Sequence, residues 1–300
     1  MTKVAFITGG TGYIGSNLVR SLEKNGWEAH LLIRESSKKG SCFPGEGKRY
    51  YHYYDGKFGS VLKAVENSKP DVVFHLASCF IAEHQSKDIE NLINSNVLLG
   101  AQLLEAMSCC NVKKLINAAT SWQYYHAEYY SPANLYAATK EAHIVIEKYY
   151  SEVKAFNIID LYIFDTFGPF DPRGKILSKL IAAIGGKEPI LLSPGDQEVN
   201  LVYIDDVTQA FMDAAALIDR GGGRGSYAIS YPVSLTLKEI VKEIEAATHS
   251  SLPIKWGGRE YRAREIMKPP QFIPTVEGWK PKYSLAQGIR TILDLETRKS

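Results

Sequence analysis

Val4-Ala5-Phe6-Ile7-Thr8-Gly9-Gly10-Thr11-Gly12-Tyr13-Ile14-Gly15-Ser16 is the stretch whose reading decides the fold. An apolar run leads into a glycine turn. An amphipathic helix follows, with Ile14, Leu18, Val19 and Leu22 on one face. Gly9 permits the tight bend, Gly12 lets a pyrophosphate approach bare backbone, and Gly15 lets the helix pack against the strand. The helix start then offers free N–H groups and a partial positive charge to phosphate. In this strand-turn-helix context the spacing predicts a dinucleotide site containing Gly9, Gly12, Tyr13 and Ile14.

Outward from that turn the chain alternates strand and helix. Asn25-Gly26 reads as a helix stop, and Ala29–Ile33 as the second strand of a strand-helix-strand unit. Further strands are expected at 49–54, 71–78 and 114–119, with helices at 59–67, 89–108 and 135–150. His75, inside an unbroken apolar strand, reads as a core residue. The expected fold is α/β: a doubly wound parallel (Rossmann) sheet over residues 1–168 with a smaller substrate-binding subdomain over 169–300. A segment near 199–218 is expected to return to the first domain. Gly221–Gly225 reads as a surface connection.

Composition narrows the function classes. A net charge of +2 with 45% hydrophobic residues gives no reason to propose a nucleic-acid partner. No run approaches the ~20 apolar residues that span a bilayer. The expectation is a cytoplasmic protein without a membrane partner. Cys42, Cys79, Cys109 and Cys110 show no metal-ligand spacing, so reduced thiols and no metal are expected.

The end of the second strand reads out the cofactor. An NAD site places a carboxylate there for the ribose hydroxyls, and an NADP site a cation for the 2′-phosphate. Here Ile33 occupies the acid's place and Arg34 follows, with Ser36, Ser37, Lys38 and Lys39 beyond. NADP(H) is therefore expected, held by Arg34, Ser36 and Lys38, with Glu35 pointing outward and Asp55 reaching the adenine.

Tyr136 and Lys140 stand at i and i+4, on one face of a helix beginning near Asn134. A neighbouring ammonium favours the phenolate of a group whose reference pKa is ~10. Such a pair can exchange a proton with a carbonyl oxygen while hydride moves at its carbon. Thr120 ends the preceding strand, where a doubly wound sheet gathers ligands, and can bond the same oxygen.

These motifs together resemble the extended short-chain dehydrogenase/reductases of the NAD-dependent epimerase/dehydratase family. The likeness runs through TGGTGYIG, DVVFHLAS, Asn96-Val97, Thr120, YAATK, Phe167-Gly168-Pro169, VYIDDV and Gly278-Trp279-Lys280-Pro281. The resemblance implies a catalytic triad of Thr120, Tyr136 and Lys140, a cofactor site that also takes in Leu76, Ala77, Asn96 and Phe164, and a homodimer formed by the helices bearing Asn96 and Tyr136. Departures from the family pattern narrow the chemistry. Ser121-Trp122 stands where 4,6-dehydratases carry an Asp-Glu pair, and Tyr162, Asp165 and Val199 replace residues that epimerases use to grip substrate. Arg173, Lys175, Lys179, Arg259, Arg262 and Arg264 remain to hold a diphosphate. The substrate site is expected at Ser121, Trp122, Asp165, Lys175, Arg259 and Arg262. Arg262-Ala263-Arg264-Glu265-Ile266-Met267 is similar to the CDP-abequose and CDP-paratose synthase branch. The reading is an NADPH-dependent reductase of a nucleotide-linked 4-keto-6-deoxyhexose, CDP-linked or dTDP-linked. A 4-epimerase retaining NAD and a non-catalytic NADP-binding sensor stay open beside it.

Overall fold

The computed structural model describes residues 2–37, 48–125, 129–221 and 225–297. Lys38, Lys39, Cys42 and the centre of the 221–225 glycine run lie outside them.

The first half of the chain builds β1 (Val4–Thr8), α1 (Tyr13–Lys24), β2 (Glu28–Arg34), β3 (Arg49–Tyr54), α2 (Phe58–Ser68) and β4 (Val72–His75). It continues through α3 (Ile89–Ile93), α4 (Leu99–Cys109), β5 (Lys114–Thr120), α5 (Leu135–Lys154) and β6 (Asn157–Ile163). The second half is made of shorter pieces: β7 (Asp165–Phe167), α6 (Ile176–Ala182), β8 (Ile190–Leu191), β9 (Glu198–Val199) and β10 (Leu201–Tyr203). After them come α7 (Ile204–Asp219), β11 (Gly225–Ile229), β12 (Leu235–Thr236), α8 (Leu237–Thr248), β13 (Ile254–Lys255) and α9 (Leu285–Thr297).

Seven strands pair in parallel in the order β3-β2-β1-β4-β5-β6-β11. Alternation along each strand decides which layer it feeds. Ala5, Ile7, Leu31, Phe74, Ile116 and Leu161 pack against Leu18 and Leu22 of α1 and Val207 and Phe211 of α7. Phe6, Leu32, Val73, Leu115 and Ile158 point the other way, onto Val65 of α2 and Leu103 and Met107 of α4. A fully buried Phe74 contributes on the order of 1.5–3 kcal/mol by leaving water. A third cluster joins α6, α8 and α9 through Leu180, Ile240, Ile244 and Ile289, and takes in Tyr13 of α1 and Phe167 of β7.

The topology places the site. Strand order reverses between β1 and β4, which leaves a crevice at their carboxyl ends. β4 is shorter than the expected 71–78 strand, because its ladder ends at His75 and residues from Leu76 turn into that crevice. The expected 89–108 helix is broken into α3 and α4 by a π-helical turn at Asn94–Leu98. That wider turn carries Asn96 inward. α7 and β11 both pack onto or extend the large sheet, although they follow the irregular segments in sequence.

Candidate active site and family membership

Gly9 sits at φ +72°, and its amide carbonyl accepts from Gly12 N at 3.0 Å. A Cβ at Gly9 would lie 2.6 Å from the backbone N of Ala77, and one at Gly15 would overlap the Gly9 carbonyl. The glycines thus keep the turn folded tightly onto α1 and onto the loop after β4. α1 starts at Tyr13 with Gly12 as its N-cap, and no side chain caps its free N–H groups. Those donors face the large cavity, of about 1030 Å³, whose lining includes Gly9, Gly12, Tyr13 and Ile14. A dinucleotide pyrophosphate fits such a cradle. Lys140 supplies a second fit: its Nζ is buried behind the cavity lining with no hydrogen-bond partner among the described residues, a donor left over for a ribose hydroxyl.

Thr120, at the end of β5, accepts from Trp122 N at 3.3 Å, and its own N–H donates to Gln123 Oε1 at 3.0 Å. α5 is capped by Asn134, whose Oδ1 accepts from Ala137 N at 2.9 Å, and this fixes Tyr136 in the first turn. Tyr136, Thr120, Ser121, Trp122 and Phe164 all line the large cavity. The Ser78 and Thr120 side chains lie close enough to the Tyr136 hydroxyl to favour its ionised form.

Burial pushes the Tyr136 phenol up, while Ser78, Thr120 and the Arg173 charge pull it down. Lys140 lies one turn deeper, where its charge interacts with Glu147 and Asp160. Burial lowers Lys140 to about 8 against the opposing pull of those carboxyls.

The substrate end of the cavity is lined by all six cations singled out from the sequence: Arg173, Lys175, Lys179, Arg259, Arg262 and Arg264. Glu83, Asp165, Glu198 and Glu265 line it too, which leaves the wall net positive. Asp165 pairs with Lys175 at 3.1 Å. Arg173 is held by Asp171 and lies 4.5 Å from the ring centroid of Tyr13. Around Tyr136 the wall is aromatic. Phe80 meets it edge-on at 5.0 Å and Trp122 at 5.6 Å, and Arg262 lies 5.7 Å from the Trp122 ring centroid.

A second cavity, of about 600 Å³, opens at the ends of β2 and β3, lined by Arg34, Glu35, Ser36, Tyr54, Asp55 and Gly56. Arg34, Ser36 and Asp55 are brought together as the sequence reading expected. Glu35 is exposed to solvent, as expected, and also borders the same space. Backbone and side-chain hydrogen bonds from Lys57 and Ser60 hold the Asp55 carboxyl below its usual range. Lys38 falls outside the described residues.

Leu76 lines the large cavity, whereas Ala77 and Asn96 do not. Asn96 spends its amide inside the protein. Oδ1 accepts from Cys79 N at 2.7 Å and Ser78 Oγ at 3.1 Å, and Nδ2 donates to Cys79 O at 3.0 Å and Thr139 Oγ1 at 2.8 Å. It ties the loop after β4 to α5, and so sets Ser78 against Tyr136. Sequence reading passed over Ser78 and Phe80; their position just past an apolar strand at the ligand edge of the sheet was the available signal. His75 is buried, with Nδ1 2.7 Å from Thr8 Oγ1. Cys79, Cys109 and Cys110 are free thiols. No helix among the described residues is long and apolar enough to cross a membrane.

The chain is similar to the CDP-abequose synthase of Yersinia pseudotuberculosis, at 30% identity over 88% of this chain and 90% of that one. It is 24% identical to the UDP-glucose 4-epimerase of Mycolicibacterium smegmatis over 98% of both chains. Among solved structures, MoeE5 in complex with UDP-glucuronic acid and NAD superposes with a TM-score of 0.85 at 22% identity, over 99% of each chain. The sequence pattern of the NAD dependent epimerase/dehydratase family matches residues 5–230. With its glycine turn, parallel sheet and Thr120–Tyr136 pairing, this chain belongs to that family.

Proposed function

We propose that this protein reduces the C4 ketone of a nucleotide-linked 4-keto-6-deoxyhexose with NADPH, the nucleotide being CDP in preference to dTDP. The observation that carries the reading is the surrounding of Tyr136. Thr120 is followed by Ser121-Trp122, and Trp122 and Phe80 form an apolar wall beside the phenol. Ser121-Trp122 puts no carboxyl directly after Thr120 to remove water, and a methyl group at C5 suits such a wall better than a hydroxymethyl. The likeness to CDP-abequose synthases over most of the chain supports the same substrate class.

In this mechanism the bound reduced nicotinamide supplies the hydride. Tyr136 supplies the proton. Its burial keeps the hydroxyl protonated at neutral pH, the state needed to donate to a carbonyl oxygen. Thr120 holds the same oxygen. Ser78 and Thr120 stabilise the phenolate left behind, and Arg173 adds a favourable charge. Lys140 holds the nicotinamide ribose. The glycine turn takes the pyrophosphate, Arg34 and Ser36 the 2′-phosphate, and Lys175, Arg259 and Arg262 the sugar diphosphate. Residues 169–300 mainly serve the substrate, apart from the 199–218 return.

Mixing the protein with NADPH and CDP-4-keto-6-deoxyglucose should consume the near-ultraviolet absorbance of the reduced nicotinamide, faster than with NADH. No consumption with any nucleotide form would overturn the reading. Glu35 beside the ribose cavity favours a second reading, a 4-epimerase retaining NAD. Tightly bound NAD released on denaturation would select it.

The homodimer belongs to the same proposal. On α5, Val145, Tyr149 and Val153 are 61%, 55% and 57% exposed at helical spacing, and Ile89 and Ile93 of α3 are also exposed. Such a stripe suits a second copy of the chain. Sedimentation should give twice the 33.4 kDa chain mass. Val145→Asp with Tyr149→Asp should give the monomer, and a native protein that sediments as a monomer would refute the dimer.

A further inference from the structure

Beneath the reacting tyrosine lies a group of buried ionisable side chains that the proposed mechanism leaves unused. Lys140, His143 and Glu147 follow one another on the sheet-facing side of α5, and Asp160 of β6, Asn117 of β5 and His75 of β4 meet them. Asn117 Nδ2 donates to Asp160 Oδ1 at 2.8 Å and to Glu147 Oε2 at 3.4 Å, and so bridges the two carboxyls. His143 Nε2 is 2.9 Å from Glu147 Oε1. The His143 ring sits 4.8 Å from that of His75, pressed against Gly100 of α4, where any Cβ would collide with the imidazole.

Glu141 of α5 and Tyr162 of β6 also interact with Asp160, and Gln123 holds the Glu141 carboxyl. Two carboxyls so close and so dry do not both ionise, and neither histidine takes a proton beside Lys140. Burial pushes Glu147 up to about 7, and burial together with the Glu147 charge pushes Asp160 well above the usual carboxylate range. His143 falls to about 3, and His75 falls well below an ordinary imidazole. One negative charge and one positive charge remain.

We propose that Glu147 and Asp160 share a single proton through their Asn117-bridged contact and act together as the buried counter-charge that keeps Lys140 an ammonium. They are positioning residues. They touch neither cavity and act only through Lys140. The proposal rests on the reductase reading for its catalytic consequence, and on the geometry alone for the charge state.

The test labels lysine with ¹³C at Cε, assigns the Lys140 signal with Lys140→Arg, and follows it with pH in the full-length protein. Native protein should titrate near 8. Glu147→Gln with Asp160→Asn should lower that midpoint by about one pH unit or more, since the two carboxyls whose charge acts on Lys140 are gone. Each single variant should move it by less than about half a unit, because the surviving carboxyl ionises in its partner's place. A double variant that titrates like native protein overturns the proposal. Should the double variant fail to fold, the single variants decide: a full-unit shift in either overturns the shared proton, and near-native midpoints in both support it. The alkaline limb of turnover should follow the Lys140 midpoint. If no sugar nucleotide is turned over, the reductase reading fails and the titration still judges the counter-charge.

Discussion

Tyr136→Phe should lower turnover by roughly 10²–10⁴-fold while leaving NADPH affinity within a factor of about two. The phenyl ring keeps its edge contact with Phe80, and Asn134 still caps the helix, so the substitution removes one oxygen and little else. What is lost is the hydroxyl whose ionisation Ser78 and Thr120 favour. Ser78 keeps its bond to Asn96, so the loop after β4 stays in place. Stopped-flow turnover and fluorescence titration with NADPH separate the two quantities. A variant with more than about a tenth of native turnover would mean that the proton comes from elsewhere.

Gly9→Ala should cost at least ~2 kcal/mol and weaken dinucleotide binding by tenfold or more. At φ +72° an L side chain is already strained, and its Cβ would meet Leu76 C and Ala77 N at 2.6 Å. Both are backbone atoms of the loop after β4, so no flexible side chain can give way. Relief requires the glycine turn to lift off that loop, which moves the phosphate cradle away from the crevice between β1 and β4. Gly26→Ala is the control. Gly26 sits at φ +77°, yet nothing lies within 4 Å of an added Cβ. It should lose only the conformational cost of ~1 kcal/mol and bind cofactor normally. Melting curves and NADPH titration on the two variants test this directly. Equal losses in both would show that backbone conformation alone, and not contact with the β4 loop, governs the turn.

Local patterns made much of the fold legible. The glycine turn, the apolar strands and the Tyr136–Lys140 spacing each depend on residues within one or two turns of each other. Asn134 predicted its own helix start for the same reason, since a cap acts over three residues. The reading fell short where a residue's surroundings come from distant strands. Asn96 was expected at the cofactor site, and the fold turns its amide onto Cys79 and Thr139 instead. Lys140 shares a helix face with Tyr136, and the fold also sets its ammonium within reach of the charge on Asp160, twenty positions further on.

By itself the sequence determined a parallel sheet with a dinucleotide turn at its first crossing, because strand burial, glycine geometry and helix phase are set by neighbouring residues. Only the tertiary structure decided that Ser78 joins Thr120 on the phenol, that Asn96 is a structural tie within a π-helical turn, and that two carboxyls from α5 and β6 meet beneath Lys140. Those facts depend on which strands lie side by side, and burial then fixes the protonation of whatever side chains the strand order has gathered there.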